Sequence, residues 1–166
     1  MRRTFTAVLA VALLGSGLLP ARAACSDTAE PGVEWRRCSL EGAELRGRSL
    51  ERAVLRDASL DRADLSEANL GQADAYRARF VSATLKGATL DGADLAEADF
   101  TRADLSGASL RKADLRRAKL FRASLRGADL SEAQIRGADL LGADLSQALW
   151  IDGRRRCAEG SIGQCN

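Results

Sequence analysis

The chain has 166 residues, of which 29% are charged, 4% are aromatic and none is histidine. That length suits one domain. Without imidazole there is no His general base, no nucleophile–His dyad and no His-containing zinc site, so hydrolase, transferase and metalloenzyme readings are disfavoured. Apolar residues reach 46%. They are mostly Ala and Leu, which is not the mixture of an ordinary globular core.

Residues 1–23 read as a targeting segment. Met1-Arg2-Arg3 is a basic head, Phe5 to Leu19 is an apolar run, and Pro20-Ala21-Arg22-Ala23 ends in an A-x-A pattern. The run is short for a membrane span, which needs about 20 apolar residues. Cleavage is expected after Ala23, giving a periplasmic or secreted protein with no transmembrane anchor. Arg2-Arg3-Thr4-Phe5 partly matches a twin-arginine signal, so Sec and twin-arginine export both stay open. Arg22 stands where a lipoprotein signal would carry an aliphatic residue, which argues against lipidation at Cys25.

Removing residues 1–23 takes away Arg2, Arg3 and Arg22 and no acid. The remainder has 22 basic and 23 acidic residues, so a net charge of +2 becomes −1. Nothing in that balance points to nucleic acid or a membrane surface. The cysteines are Cys25, Cys38, Cys157 and Cys165, and an even count in an exported chain reads as two disulfides.

From residue 38 onward the chain has a five-residue period. Taking position 40 and every fifth residue to 150, 18 of 23 are Leu, the others being Ala75, Phe80, Phe100, Ile135 and Trp150. Two residues before each, 21 of 23 are Ala, the others being Cys38 and Arg48. In an α-helix, five steps of about 100° would spread the leucines around the whole cylinder. In a flat strand, an odd step reverses the side each time. Every fifth residue shares one interior only if the chain turns at each unit, with Leu mid-side, Ala near the corner and the other three residues outward.

The units Ala63-Asp64-Leu65, Ala68-Asn69-Leu70, Ala93-Asp94-Leu95, Ala103-Asp104-Leu105, Ala128-Asp129-Leu130, Ala138-Asp139-Leu140 and Ala143-Asp144-Leu145 resemble the pentapeptide-repeat family, with its A-(D/N)-L-x-x pattern. The resemblance covers nearly all of the chain after residue 23. It implies an all-β fold, a right-handed quadrilateral β-helix with four five-residue sides per coil. Val33 and Trp35 extend the register one unit back, so the solenoid is expected over 33–152, about six coils. A cap segment at 24–32 precedes it, and a disulfide cap at 153–166 follows. At about 4.8 Å per coil the rod is about 29 Å long. Eight units end in Gly (42, 47, 87, 92, 107, 127, 137 and 142), which suits a tight turn with positive φ.

Trp35 and Trp150 occupy the central slots of the terminal units and are expected to plug the ends. Cys25–Cys38 and Cys157–Cys165 are the local pairings. The crossed ones require a tail folded back along the rod.

A period of 20 stacks residue n on n+20. Phe80 should lie over Phe100 in the core. The outward column Glu41, Asp61, Val81, Thr101, Phe121, Leu141 becomes apolar toward its end, and Val81, Thr101, Phe121 and Leu141 are candidate residues for a protein partner or self-association. Asp74, Asp94 and Asp114 form a carboxylate column, read as solvated, backbone-bonded Asp, with a hard cation as the alternative. Arg79, Asp99, Lys119 and Asp139 read as an ion-pair ladder. Seven basic residues between 111 and 126 form a girdle whose members point to several sides. Arg48 violates an inward Ala slot and should escape over the end or meet a cap acid such as Glu34.

No P-loop or dinucleotide fingerprint appears, and a Leu-filled rod leaves no interior pocket. No catalytic, cofactor-binding or metal-binding residue is therefore assigned. The expected function is that of a non-catalytic binding or scaffolding rod in the envelope. The alternative drawn from the resemblance is a DNA mimic that binds gyrase and protects it from quinolones. An export signal and a near-neutral rod both disfavour it.

Overall fold

The computed structural model describes residues 25–166; the expected signal and its cleavage point lie outside them. From Glu34 onward the chain forms a right-handed β-solenoid with an uninterrupted series of parallel bridges between n and n+20, from Glu34↔Val54 to Asp129↔Leu149. Four sides of five residues make one coil. The first side carries the central residues Trp35, Leu55, Ala75, Leu95, Leu115 and Ile135. The second carries Leu40, Leu60, Phe80, Phe100, Leu120 and Leu140. The third runs from Leu45 to Leu145, and the fourth from Leu50 to Trp150.

In the inner coils the five-residue units repeat one hydrogen-bond pattern, directed mostly to the coils on either side. In the unit around Leu95, the Leu95 N–H donates to Asp114 O and the Glu97 N–H to Arg116 O, both one coil on. The Asp99 N–H reaches back to Ala78 O, and the Ala98 N–H closes the turn onto Leu95 O. The remaining donor, the Ala96 N–H, is taken by the side chain of Asp94 at 3.1 Å. Where Asp or Asn precedes the central residue, this is its physical role: it serves the one N–H that neither coil nor turn reaches. Asp64, Asn69, Asp104, Asp129 and Asp144 do the same.

The second turn position has positive φ throughout, whatever residue occupies it. The eight glycines lie between 63° and 74°, and non-glycine residues such as Arg62 and Ser82 lie at 59° and 56°. The expectation of Gly at a left-handed turn therefore holds and also extends to residues that offer no sequence signal for it.

The core is the Leu and Ala columns, fully buried from Leu50 to Leu125. Phe80 and Phe100 stack within it. Trp35 is buried, although its indole N–H finds no partner among the described residues. Trp150 is only half-buried, and residues 153–166 fold back over the last coil beside it. Arg48 escapes to solvent, while Glu34 pairs with Arg36 instead. The cysteines form the local pairs, Cys25–Cys38 and Cys157–Cys165, with Cα separations of 5.4 and 4.8 Å.

Candidate functional surface

With the interior filled, only the outward residues remain available for chemistry. The second-side column is less continuous than its sequence suggests. Val81, Thr101 and Phe121 are half-buried, and Arg122 lies over the Phe121 ring at 5.0 Å. Leu141 alone of the four stands free, 68% exposed. Stacking at coil spacing lets each side chain cover its neighbour, and a column position does not reveal that shielding.

The carboxylate column is committed to the protein's own donors. Asp74, Asp94 and Asp114 each accept a turn N–H. Arg56 also binds Asp74, and Arg116 grips Asp114 at 2.6 Å. That guanidinium bond, with the Arg116 N–H, outweighs burial and holds the Asp114 carboxyl below its ordinary range. Among the described residues no group of Cys, Asp or Glu side chains has metal-site geometry.

The alternating column is a ladder only in part. Lys119 faces Asp99 at 3.8 Å, but Arg79 pairs with Asp61 of the preceding coil at 2.6 Å. That pairing lets Asp61 also accept the Val81 N–H, since Arg79 stands where an aspartate would otherwise cap the turn. Asp91 does the same for Arg111, which follows Ser109. Neither role was visible in the sequence, because both capping groups come from the neighbouring coil. The diagonal that joins Arg79 to Asp61 recurs in Arg56–Asp74, Lys86–Asp104 and Arg126–Asp144.

The basic girdle is dispersed, as expected. Arg111 and Lys112 lie on the fourth side, Arg116 and Arg117 on the first, Lys119 and Arg122 on the second, and Arg126 on the third. Most of these charges have acid partners: Lys112 with Glu132, Arg117 with Glu97, and Arg126 with both Asp144 and Glu159. A cleft of about 430 Å³ opens on the first side where Ala96 interrupts the larger residues Tyr76 and Arg116, with Arg117 and Arg136 at its rim. No helix of the described residues is long and apolar enough to cross a membrane.

The pentapeptide-repeat pattern matches residues 36–74, 78–117 and 113–149, well over half of the sequence. The chain therefore belongs to the pentapeptide-repeat family, a non-catalytic structural fold. Among solved structures it is similar to HetL, a pentapeptide-repeat protein involved in heterocyst differentiation regulation in the cyanobacterium Nostoc sp. PCC 7120. The identity is 37% over 79% of this chain, and the TM-score is 0.63. The alignment spans 62% of the HetL chain, less than two thirds of its length. Similarity also extends to a pentapeptide-repeat protein of the Arabidopsis thaliana thylakoid lumen, at 28% identity over 75% of this chain and 84% of that one, TM-score 0.35. QnrB1, a plasmid-mediated fluoroquinolone resistance protein, matches at 24% identity over 69% of this chain and 61% of that one, TM-score 0.43. No curated protein matches the chain.

Proposed function

We propose that this chain is an exported, non-catalytic rod that binds or scaffolds a protein partner in the periplasm or cell envelope. The observation that carries the reading is the pairing of a fully packed interior with a disulfide at each end. A packed interior leaves recognition to the outer columns. Disulfides persist in oxidising compartments, which agrees with the basic-apolar-AxA segment at residues 1–23. Val81, Thr101, Phe121 and Leu141 are the proposed partner surface, with Leu141 as its exposed member.

The gyrase-binding alternative finds little support in the surface. A DNA mimic needs an acidic rod, whereas here arginines and lysines neutralise the carboxylates on all four sides. The deciding experiment is fractionation of cells carrying a tagged copy, with alkylation of free thiols before lysis, followed by crosslinking in intact envelopes and mass spectrometry. Envelope localisation, unalkylated cysteines and a recurrent crosslinked protein are expected. A cytosolic protein with four alkylated cysteines would overturn the reading.

A further inference from the structure

The C-terminal segment covers only half of the end it caps. It turns back over the last coil and pairs antiparallel with the fourth side through Leu149↔Arg156 and the third through Asp144↔Ile162. There the Trp150, Gln147 and Leu145 N–H groups donate to the Arg155, Cys157 and Ser161 carbonyls. On the first and second sides, among the described residues, no such partner follows. Among the described residues the Ile135, Gly137 and Leu140 N–H groups have no backbone acceptor, and the Ala133 and Ala138 carbonyls have no backbone donor. One coil earlier the equivalent groups are all paired, as in Leu115 N–H to Gln134 O and Leu120 N–H to Asp139 O. Ile135, Ala138 and Leu140 are half-buried, whereas Leu115, Ala118 and Leu120 beneath them are buried. The rod thus ends in a step: one extra rung on two sides and an open β-edge on the other two.

We infer that a second copy of this chain fills the step, forming a two-fold, end-to-end dimer. Consider a two-fold axis lying across the rod end, through the corner between the second and third sides and the corner between the fourth and first. It exchanges second with third and fourth with first. Each covering tail then enters the empty half-rung of the other copy, and the two tails together complete one rung between the two last coils. A tail that runs antiparallel to its own coil becomes parallel to the coil of the other copy. That is the sense of every rung inside the rod.

The side chains at the step agree with this operation. It sets Ile162 of one copy over Leu141 of the other, and these are the two exposed large apolar residues among those described, at 52% and 68%. It also brings the Glu159–Gly160 turn of the tail to the corner that carries Arg136 and Gly137. Arg136 has no carboxylate within ion-pair distance among the described residues, and Glu159, which bonds Arg126 at 2.8 Å, still has a side chain 62% exposed. The contact is the same patch on both copies, so every pairing occurs twice and assembly stops at two. Unpaired edges of this kind favour strand addition, and here the added strand is supplied by an identical end. The inference does not need the exported-rod reading, but it takes Leu141, the exposed member of the partner surface proposed above, into the contact between copies.

The test is sedimentation velocity and light scattering of the purified, disulfide-bonded full chain over a wide concentration range. A mass that doubles and then stops is expected. Ile162→Glu should weaken association by roughly tenfold or more. Arg136→Glu should also weaken it, and adding Glu159→Arg should restore it. Phe121→Ser lies on the lateral column away from the end and should leave the dimer intact, which separates this inference from a failure of the proposed partner surface. Circular dichroism melts would establish that each variant is folded. Hydrogen exchange at Ile135 and Leu140 should slow as concentration rises. A strictly monomeric wild type, open-ended growth, or loss of the dimer in Phe121→Ser but not in Ile162→Glu would overturn the inference.

Discussion

Phe80 and Phe100 lie one coil apart with ring centroids 4.8 Å from each other and ring planes 3° from parallel. Coil spacing, rather than the quadrupole preference of aromatic pairs, sets this arrangement. Both rings are fully buried, so Phe80→Ala leaves a cavity that a stiff ladder cannot close. A loss of about 3–5 kcal/mol is expected. Urea unfolding followed by circular dichroism measures it, and a loss below about 1 kcal/mol would contradict the packing.

The Asp that serves the turn N–H gives a second test. Asp94→Ala strands the Ala96 N–H and should cost about 1 kcal/mol, whereas Asp94→Asn keeps the acceptor and should recover most of it. Equal losses in the two variants would assign the cost to charge instead.

The second turn position should reward glycine. Ser82 has φ 56° and is exposed, so Ser82→Gly is expected to stabilise by up to about 1 kcal/mol. Gly107 has φ +67° with open space around its Cα, so Gly107→Ala should destabilise through backbone strain alone. Thermal melts of the two variants should shift in opposite directions.

Acid should loosen the rod in a defined window. The Asp64 carboxyl is held low by the Ser66 hydroxyl and N–H, and that of Asp114 by Arg116. Burial pulls the Asp104 and Asp144 carboxyls upward, but bonds from Ser106 and Lys86, and from Ser146 and Arg126, outweigh it. Each group is a stronger acid folded than unfolded. Its contribution is therefore fully present above the unfolded value, about 3.9, and is lost as pH falls through the lower folded value. Melting temperature should be level from neutral pH to about 5 and drop below about 4. A decline that begins near neutrality would contradict the assignment.

The Cys157–Cys165 bridge fixes the segment that covers the third and fourth sides. Replacing both cysteines with Ala should cost about 2–3 kcal/mol, by the restraint that a short loop places on the unfolded chain. The amides of Leu145 and Trp150, which bond to that segment, should exchange faster, while those of Leu95 and Leu105 should not change. Uniform acceleration would mean that the cap governs the whole rod.

How far the structure could be read in advance varies by position. The inward columns were legible because burial repeats with the unit: Leu95, Ala98 and Phe100 lie where the period puts them. The local disulfides followed from where the cysteines fall. What escaped depended on contacts between coils at unlike positions. Asp61 caps the Val81 N–H because Arg79 cannot, and only the diagonal between adjacent coils brings the two together. Phe121 looked exposed in its column, yet Arg122 shields it. The half-covered end was hidden for another reason. Residues 153–166 leave the period, so no column rule says which sides they cross.

Because each five-residue tile repeats the same bonds to the coils on either side, the rod can change length only in certain steps without changing character. Deleting a stretch such as 93–112 would take out one full circuit and bring each later residue back onto its former side. Deleting 93–97 alone would keep the interior filled but swing everything downstream through a quarter turn. Leu141 and the diagonal ion pairs would then meet different neighbours. Lineages of such proteins should therefore drift in length by multiples of twenty wherever the pattern on the outside matters, and by multiples of five where it does not.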